Sequence, residues 1–265
     1  MKIFSNLNQI SKYKFFSNVN NGIKPFLLKE LKNIYSGHNI MVILNNNSEI
    51  DEYYNLFKNY FSCNNILKFP SWDSVPYEEV SPSQVILNER FKSLNKILIN
   101  DNKYTSYIVL TNIDSVLQLL PPKSLLENNY FELKKNQDLS LDILNSRLSS
   151  IGYERVEIVL EPYEYAVRGG IIDIWPLGED CPIRIDFFGN KVDSIKIFNP
   201  ISQITINDVE KKNISSSIES PSHKKANDNF IENYRKKFGP STSKELFVHK
   251  LKNGIRAEGI ENWLP

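Results

Sequence analysis

The chain has 265 residues, 41% of them hydrophobic, and its 32 Lys and Arg against 31 Asp and Glu leave a formal net charge of +1. Such a composition belongs to a folded chain rather than a disordered one, and a charge so close to zero excludes a uniformly basic nucleic-acid binder. Its two cysteines, Cys63 and Cys181, exclude a disulfide framework and a cysteine-clustered metal site.

Residues 1–20 carry no apolar h-region and no small-residue cleavage site, and no run of about 18 apolar residues occurs anywhere. The sequence therefore predicts no secretory signal, no membrane span and a cytoplasmic location. Asparagine occurs 32 times, which reads as nucleotide composition rather than function.

Residues 24–35 place Leu27, Leu28, Leu31 and Ile34 at helical spacing, with Gly37 as a stop. Residues 39–44 are a short apolar run, predicted as a buried strand. Ser48 is predicted to cap a helix that carries Ile50, Tyr54, Phe57 and Phe61 on one face. A strand at 65–69 follows, then a helix from Ser81 and Pro82 to about residue 99. A strand at 107–111 and a helix at 112–120, stopped by Pro121 and Pro122, complete the series. This alternation predicts an α/β unit with a parallel sheet over 1–123.

Beyond Pro122 the pattern becomes rich in closely spaced strands. Residues 130–133 look extended, and Ser140 is predicted to cap a helix carrying Leu144, Leu148 and Ile151 up to Gly152. Residues 155–160 set Val156, Ile158 and Leu160 against Arg155, Glu157 and Val159, the alternation of a strand. Residues 165–175 read as a second extended stretch, broken at Gly169-Gly170. Residues 182–188 and 191–198 flank Gly189-Asn190, a two-residue hairpin signal. A small β-rich α+β domain over 124–207, inserted after the α/β unit, accounts for this series. The return segment 208–265 is polar, with an exposed helix predicted around 227–238 and a strand at 245–250.

The chemistry of a nucleotide site is missing from the sequence. A phosphate loop needs Gly-x-x-x-x-Gly-Lys-Ser/Thr between strand and helix, because backbone amides and the lysine hold the phosphates. The first strand instead runs into Leu44-Asn45-Asn46-Asn47-Ser48, with no glycine and no lysine. His38, His223 and His249 fall in no metal-ligand spacing. The carboxylate pairs Asp173 with Asp186 and Glu161 with Glu164 lack a base or metal partner, and read as surface charges or ion-pair members. No catalytic residue, metal ligand or cofactor is predicted.

Two features carry more information. In 182–188, alternation puts Ile183, Ile185 and Phe187 on one face and Arg184, Asp186 and Phe188 on the other. An aromatic beside an arginine on an outward face has the composition of a protein-binding hot spot. Phe188 tucked beneath a loop is the competing reading. Arg168 precedes Gly169-Gly170, which read as a bulge inside a strand or a close backbone approach. A structural Arg168 paired with Glu164 or Asp173 is its alternative. Region 124–207 holds 8 basic and 13 acidic residues, a net of −5, against +6 for the rest of the chain. Any contact with DNA would belong to the remainder.

These residues resemble a known family. Gly152-Tyr153-Glu154-Arg155-Val156, the run from Glu161-Pro162-Tyr163-Glu164-Tyr165 to Ile174-Trp175-Pro176, and Pro182-Ile183-Arg184-Ile185-Asp186-Phe187-Phe188-Gly189-Asn190 resemble the UvrB-type interaction domain. Phe69-Pro70-Ser71-Trp72-Asp73-Ser74-Val75-Pro76-Tyr77-Glu78 and Gly259-Ile260-Glu261-Asn262-Trp263-Leu264-Pro265 resemble flanking segments of transcription-repair coupling factors. The resemblance implies a degenerate P-loop-NTPase-like unit that has lost its phosphate loop, with 124–207 as a domain that binds UvrA in nucleotide excision repair. It carries the UvrA contacts onto Arg168, Arg184 and Phe188, with Gly169, Gly170 and Gly189 as turns beside them. The family's Gly-Asp after the strand is Gly189-Asn190 here. RNA polymerase, DNA, ATP and magnesium would be engaged by parts of the family's longer chains beyond residue 265, which are those of a DNA translocase. The sequence is thus expected to be a non-enzymatic piece of such a chain. The alternatives are a UvrB-like ATP-dependent repair protein with a degenerate site at residues 45–48, and a DNA-binding module.

Overall fold

The computed structural model describes residues 19–75, 78–98, 106–216, 224–239, 245–253 and 257–263. His223, residues 1–18 and Leu264-Pro265 lie outside them. The chain divides into two compact units, Met1–Ser71 with Lys96–Gln118, and Trp72–Asn95 with Leu119–Pro265.

The first unit holds α1 (Lys24–Ile34), β1 (Ile40–Leu44), α2 (Asn47–Phe57) and β2 (Ile66–Phe69). After α3 (Gln84–Leu98), most of which belongs to the second unit, come β3 (Ile108–Asn112) and the short α4 (Ile113–Leu117). The three strands are parallel in the order β1-β3-β2. Every residue of β3 is buried, the polar Thr111 and Asn112 at its end included, as suits the middle strand of a parallel sheet. α2 turns Ile50, Tyr53 and Phe57 onto Ile66, Ile108 and Leu110, the spacing of one helical face. Its cap is Asn46, not Ser48. The Asn46 side chain accepts from the Glu49 amide, and the Glu49 carboxylate accepts in return from the Asn45 amide at 3.1 Å. Ser48 falls one residue inside the helix.

The carboxyl ends of these strands are where open parallel sheets bind ligands. Here the ends are tied together by side-chain amides. Asn112, fully buried, donates to Asn47 Oδ1 at 2.8 Å and to Ser71 Oγ at 2.9 Å, and its own oxygen caps α4 through the Ser115 amide. Asn47 closes the set by donating to the Ser71 carbonyl at 3.0 Å.

The second unit continues with α5 (Lys123–Asn128), β4 (Phe131–Lys134), α6 (Leu141–Ser150), β5 (Glu154–Arg155), β6 (Glu164–Arg168) and β7 (Ile171–Ile174). Then follow β8 (Ile183–Phe188), β9 (Lys191–Phe198), β10 (Thr205–Asp208), β11 (Lys211–Ile214), α7 (Lys224–Phe238) and α8 (Glu245–Lys252). Six strands form one sheet in the order β10-β9-β8-β7-β6-β5, antiparallel except for β5 with β6. β11 pairs with β4. Ser140 caps α6, which lays Leu144 and Leu148 in one core with Tyr165, Ile172, Ile174, Ile183, Ile185 and Ile195. Ile214, from beyond residue 207, lies in the same core.

Several expectations are corrected. Of residues 155–160 only Arg155 is in a strand. Val159 is fully buried while Ile158 and Leu160 point outward, the reverse of the predicted alternation, because this stretch is a loop. Gly169-Gly170 is not a bulge within a strand. It is the two-residue turn between β6 and β7, with Arg168 paired to Ile171 and Gly169 at φ +58°, a conformation that favours glycine. Residues 245–250 are helical, not extended. α7 is only partly exposed, since Ile231 and Tyr234 pack on Val248 and Leu251 of α8. α3 begins at Gln84, because the Ser81 hydroxyl is engaged elsewhere: it accepts from the Gly259 amide at 2.9 Å and donates to Glu261 at 3.1 Å. Asn262 extends that docking by donating to the carbonyls of Glu78 and Val80.

Candidate functional site

The antiparallel register of the large sheet fixes the candidate face. Asp173 of β7 sits directly opposite Arg184 of β8, which sits opposite Lys196 of β9. Their side chains project from the face away from α6. The Asp173 side chain is only 1% exposed, and a carboxylate so buried needs charged partners. Arg184 supplies a fork, Nε to Oδ1 at 2.7 Å and Nη2 to Oδ2 at 2.9 Å. Arg168, arriving from the corner of the β6–β7 hairpin, adds Nη2 to Oδ2 at 2.6 Å. The Arg184 guanidinium lies 4.6 Å from the Phe198 ring centroid and donates to Gln203 Oε1 at 3.1 Å. Its hydrogen bonds to Asp173 hold it above even the usual arginine range.

One step along the strands, Asp186 accepts from Ser194 and from Lys196 Nζ, the latter at 2.6 Å. Partial burial pushes the Asp186 carboxyl up, and the hydrogen bonds from Lys196 and Ser194 more than reverse this, leaving it below the usual carboxylate range. A depressed folded-state value gives stability that is complete above the unfolded pKa of about 4 and lost as pH falls through the folded value. Asp186→Asn is therefore expected to reduce the fall in Tm between neutral and acid pH. Thermal melts of both forms across that range measure it, and parallel curves would refute the assignment.

Beyond Asp186 the register of β8 with β9 shifts at a bulge, and the strand ends at Phe188. Phe188 is 83% exposed, with Gly189-Asn190 forming the turn behind it. It does not tuck beneath a loop. Phe188 shares a face with Arg184, about 13 Å along the strand at the usual rise per residue.

The three residues singled out from sequence thus fall on one face, in unlike settings. Arg168 and Arg184 meet through Asp173, so the reading of Arg168 as a partner of Asp173 is the one the geometry shows. Asp173, which the sequence reads as a surface charge or an ion-pair member, is the ion-pair member that joins them, and Gln203 completes the network by accepting from Arg184. The signal for Asp173 was present in Arg-Gly-Gly-Ile-Ile-Asp: once the glycines are read as a turn, alternation puts the sixth residue on the same face as the first, diagonally across the hairpin. Gln203 left no signal, since it acts from a left-handed turn at φ +60°. Among the described residues no three His, Cys, Asp or Glu side chains gather as a metal site needs, and no helix is long and apolar enough to cross a membrane.

Residues 131–219 match the UvrB interaction domain family. Over 77% of its length the chain is 31% identical to the transcription-repair-coupling factor of Escherichia coli (strain K12), and it covers 18% of that protein. It is 30% identical over 97% of its length to the factor of Haemophilus influenzae, covering 22% of it, and 31% identical over 58% to that of Bacillus subtilis, covering 13%. The chain spans about a fifth of the length of the first of these curated relatives. With a UvrB interaction domain at residues 131–219 and this similarity across most of its length, the chain belongs to the transcription-repair-coupling factor family of DNA-repair proteins.

Proposed function

We propose that the face bearing Arg168, Arg184 and Phe188 recruits UvrA to a transcription-repair-coupling factor during nucleotide excision repair in the bacterial cytoplasm. The observation that carries this reading is Phe188, a large aromatic held 83% exposed on an ordered strand end. An exposed phenylalanine beside arginines is the composition of an interface anchor. The arginines have different parts in it. Arg168, with half of its side chain exposed, offers its remaining donors to an acidic group on the partner. Arg184, at 20%, has its fork on Asp173, and so positions Arg168 rather than reaching outward. In this reading the face works by contact alone, with no catalytic residue and no cofactor in this chain. RNA polymerase, DNA and nucleotide are engaged by other parts of the longer family members.

Phe188→Ala is the clean test, since the side chain packs on nothing whose loss would unfold the chain. Loss of an anchor of about 2 kcal/mol corresponds to roughly a 30-fold weaker Kd for UvrA, with Tm unchanged. Titration of UvrA by calorimetry reads this, and wild-type affinity in the folded variant would overturn the proposal.

A further inference from the structure

A stable protein interface buries about 800 Å² on each partner and engages some 20–30 residues a side. Phe188 and Arg168 alone do not reach that, so the question is where the rest of the contact lies. One end of the same sheet face is covered by two adjoining loops. Loop 156–162 inserts Val159 against Ala166 and Phe198, in a small cluster with Val156 and Trp175. That insertion turns the residues on either side of Val159, Ile158 and Leu160, outward, and both are exposed. Loop 199–204 lies beside it, with Gln203 Nε2 donating to the carbonyls of Pro200 and Val159. It carries Ile201, 90% exposed, and Ile204.

Both loops are fixed from within. Asn199 Oδ1 accepts from the amides of Ile201 and Ser202 at 2.9 and 3.0 Å, and Glu164 Oε2 accepts from the amides of Leu160 and Glu161 at 2.7 and 2.8 Å. Apolar side chains presented on ordered backbone bind with less entropic loss than those on a flexible loop. Gln203 links the loops to Arg184 by accepting its hydrogen bond. The patch is therefore continuous with the charged network, at the opposite end of β8 from Phe188.

We infer that Ile158, Leu160, Ile201 and Ile204 form the second half of the UvrA-binding face. The partner surface would then be apolar opposite these four residues, acidic opposite Arg168, and pocketed for Phe188. This inference rests on the UvrA reading and extends it by naming a separate contact zone. UvrA itself is the probe, titrated into the full chain carrying Ile201→Asp or Leu160→Asp, with Phe188→Ala alongside. Leu117→Asp, an exposed position in the other compact unit, is the control. The expected result is a tenfold or greater loss of affinity in each of the two aspartate variants, at unchanged Tm, with the control within twofold of wild type. Wild-type affinity in both aspartate variants, beside a clear loss in Phe188→Ala, would overturn the second zone and leave the UvrA reading standing. Wild-type affinity in Phe188→Ala would overturn that reading and this inference with it.

Discussion

Arg184→Ala is expected to destabilise the chain by about 3 kcal/mol, because it strips the bidentate partner from a carboxylate buried in the sheet. Asp173 has 1% of its side chain exposed and three charge-assisted hydrogen bonds, of which Arg184 supplies two. With Arg184 gone, one bond from a half-exposed Arg168 is left to offset the desolvation of the anion. For a chain of this size the loss reads as roughly 10 °C in Tm. Arg168→Ala should cost far less, about 1 kcal/mol, since the fork survives and the lost partner is screened by solvent. The double variant Arg184→Ala/Asp173→Ala should recover part of the loss, because the uncompensated charge leaves with its partner. Equal Tm values for the two single arginine variants would show that Asp173 is not the group on which the face depends. In a test of the proposed UvrA contact, a loss of binding in Arg184→Ala would therefore conflate contact with folding, and Phe188→Ala would separate them.

Gly259→Ala is expected to be more damaging still, at about 4 kcal/mol, for a steric reason. Gly259 has φ +75°, and a Cβ there would lie 2.4 Å from the Glu78 carbonyl oxygen and 2.7 Å from the Val80 nitrogen. These are backbone atoms, which cannot rotate away as a side chain can. The displaced segment would also lose the bond from the Gly259 amide to Ser81 and those of Asn262 to Glu78 and Val80. Gly37→Ala is the matched comparison, with φ +81° and nothing within 4 Å of the added Cβ. It carries only the left-handed backbone penalty of about 1 kcal/mol. Urea unfolding of both variants measures the difference, and similar midpoints would refute the clash.

The sequence made the β8–β9 hairpin legible because three signals agree there: alternation in 183–188, alternation in 191–198 and Gly-Asn between them. The parallel strands were legible for the same reason, as short apolar runs separated by helical spacing. Residues 155–160 misled because alternation records only which side chains differ in polarity. It does not record whether a neighbouring strand is present to pair with, and here Val159 is buried as a plug over the sheet. Residues 245–250 contain Phe247 and Val248 and look extended in isolation, yet they lie in α8, which packs on α7 through Val248 and Leu251. The candidate face was half legible. Phe188 and Arg184 follow from strand period alone. Asp173 is already one of two sequence candidates for pairing with Arg168, but its fork with Arg184 becomes visible only when cross-strand register is known, and Gln203 only when the turn that carries it is known.

The docking of residues 259–262 on 78–81 joins positions up to 184 residues apart, and this has a consequence for synthesis. The last strand of the small parallel sheet ends at Asn112, so that sheet has all its strands early in translation. The segment around Glu78–Ser81 must wait for its partner. At about 5–20 residues per second a ribosome takes roughly 10–40 s to cover that distance. For that interval the carbonyls of Glu78 and Val80 and the hydroxyl of Ser81 are without the groups that later satisfy them. The two compact units therefore mature on different clocks, and the nascent chain is most vulnerable to proteases and misassembly while the second one is incomplete.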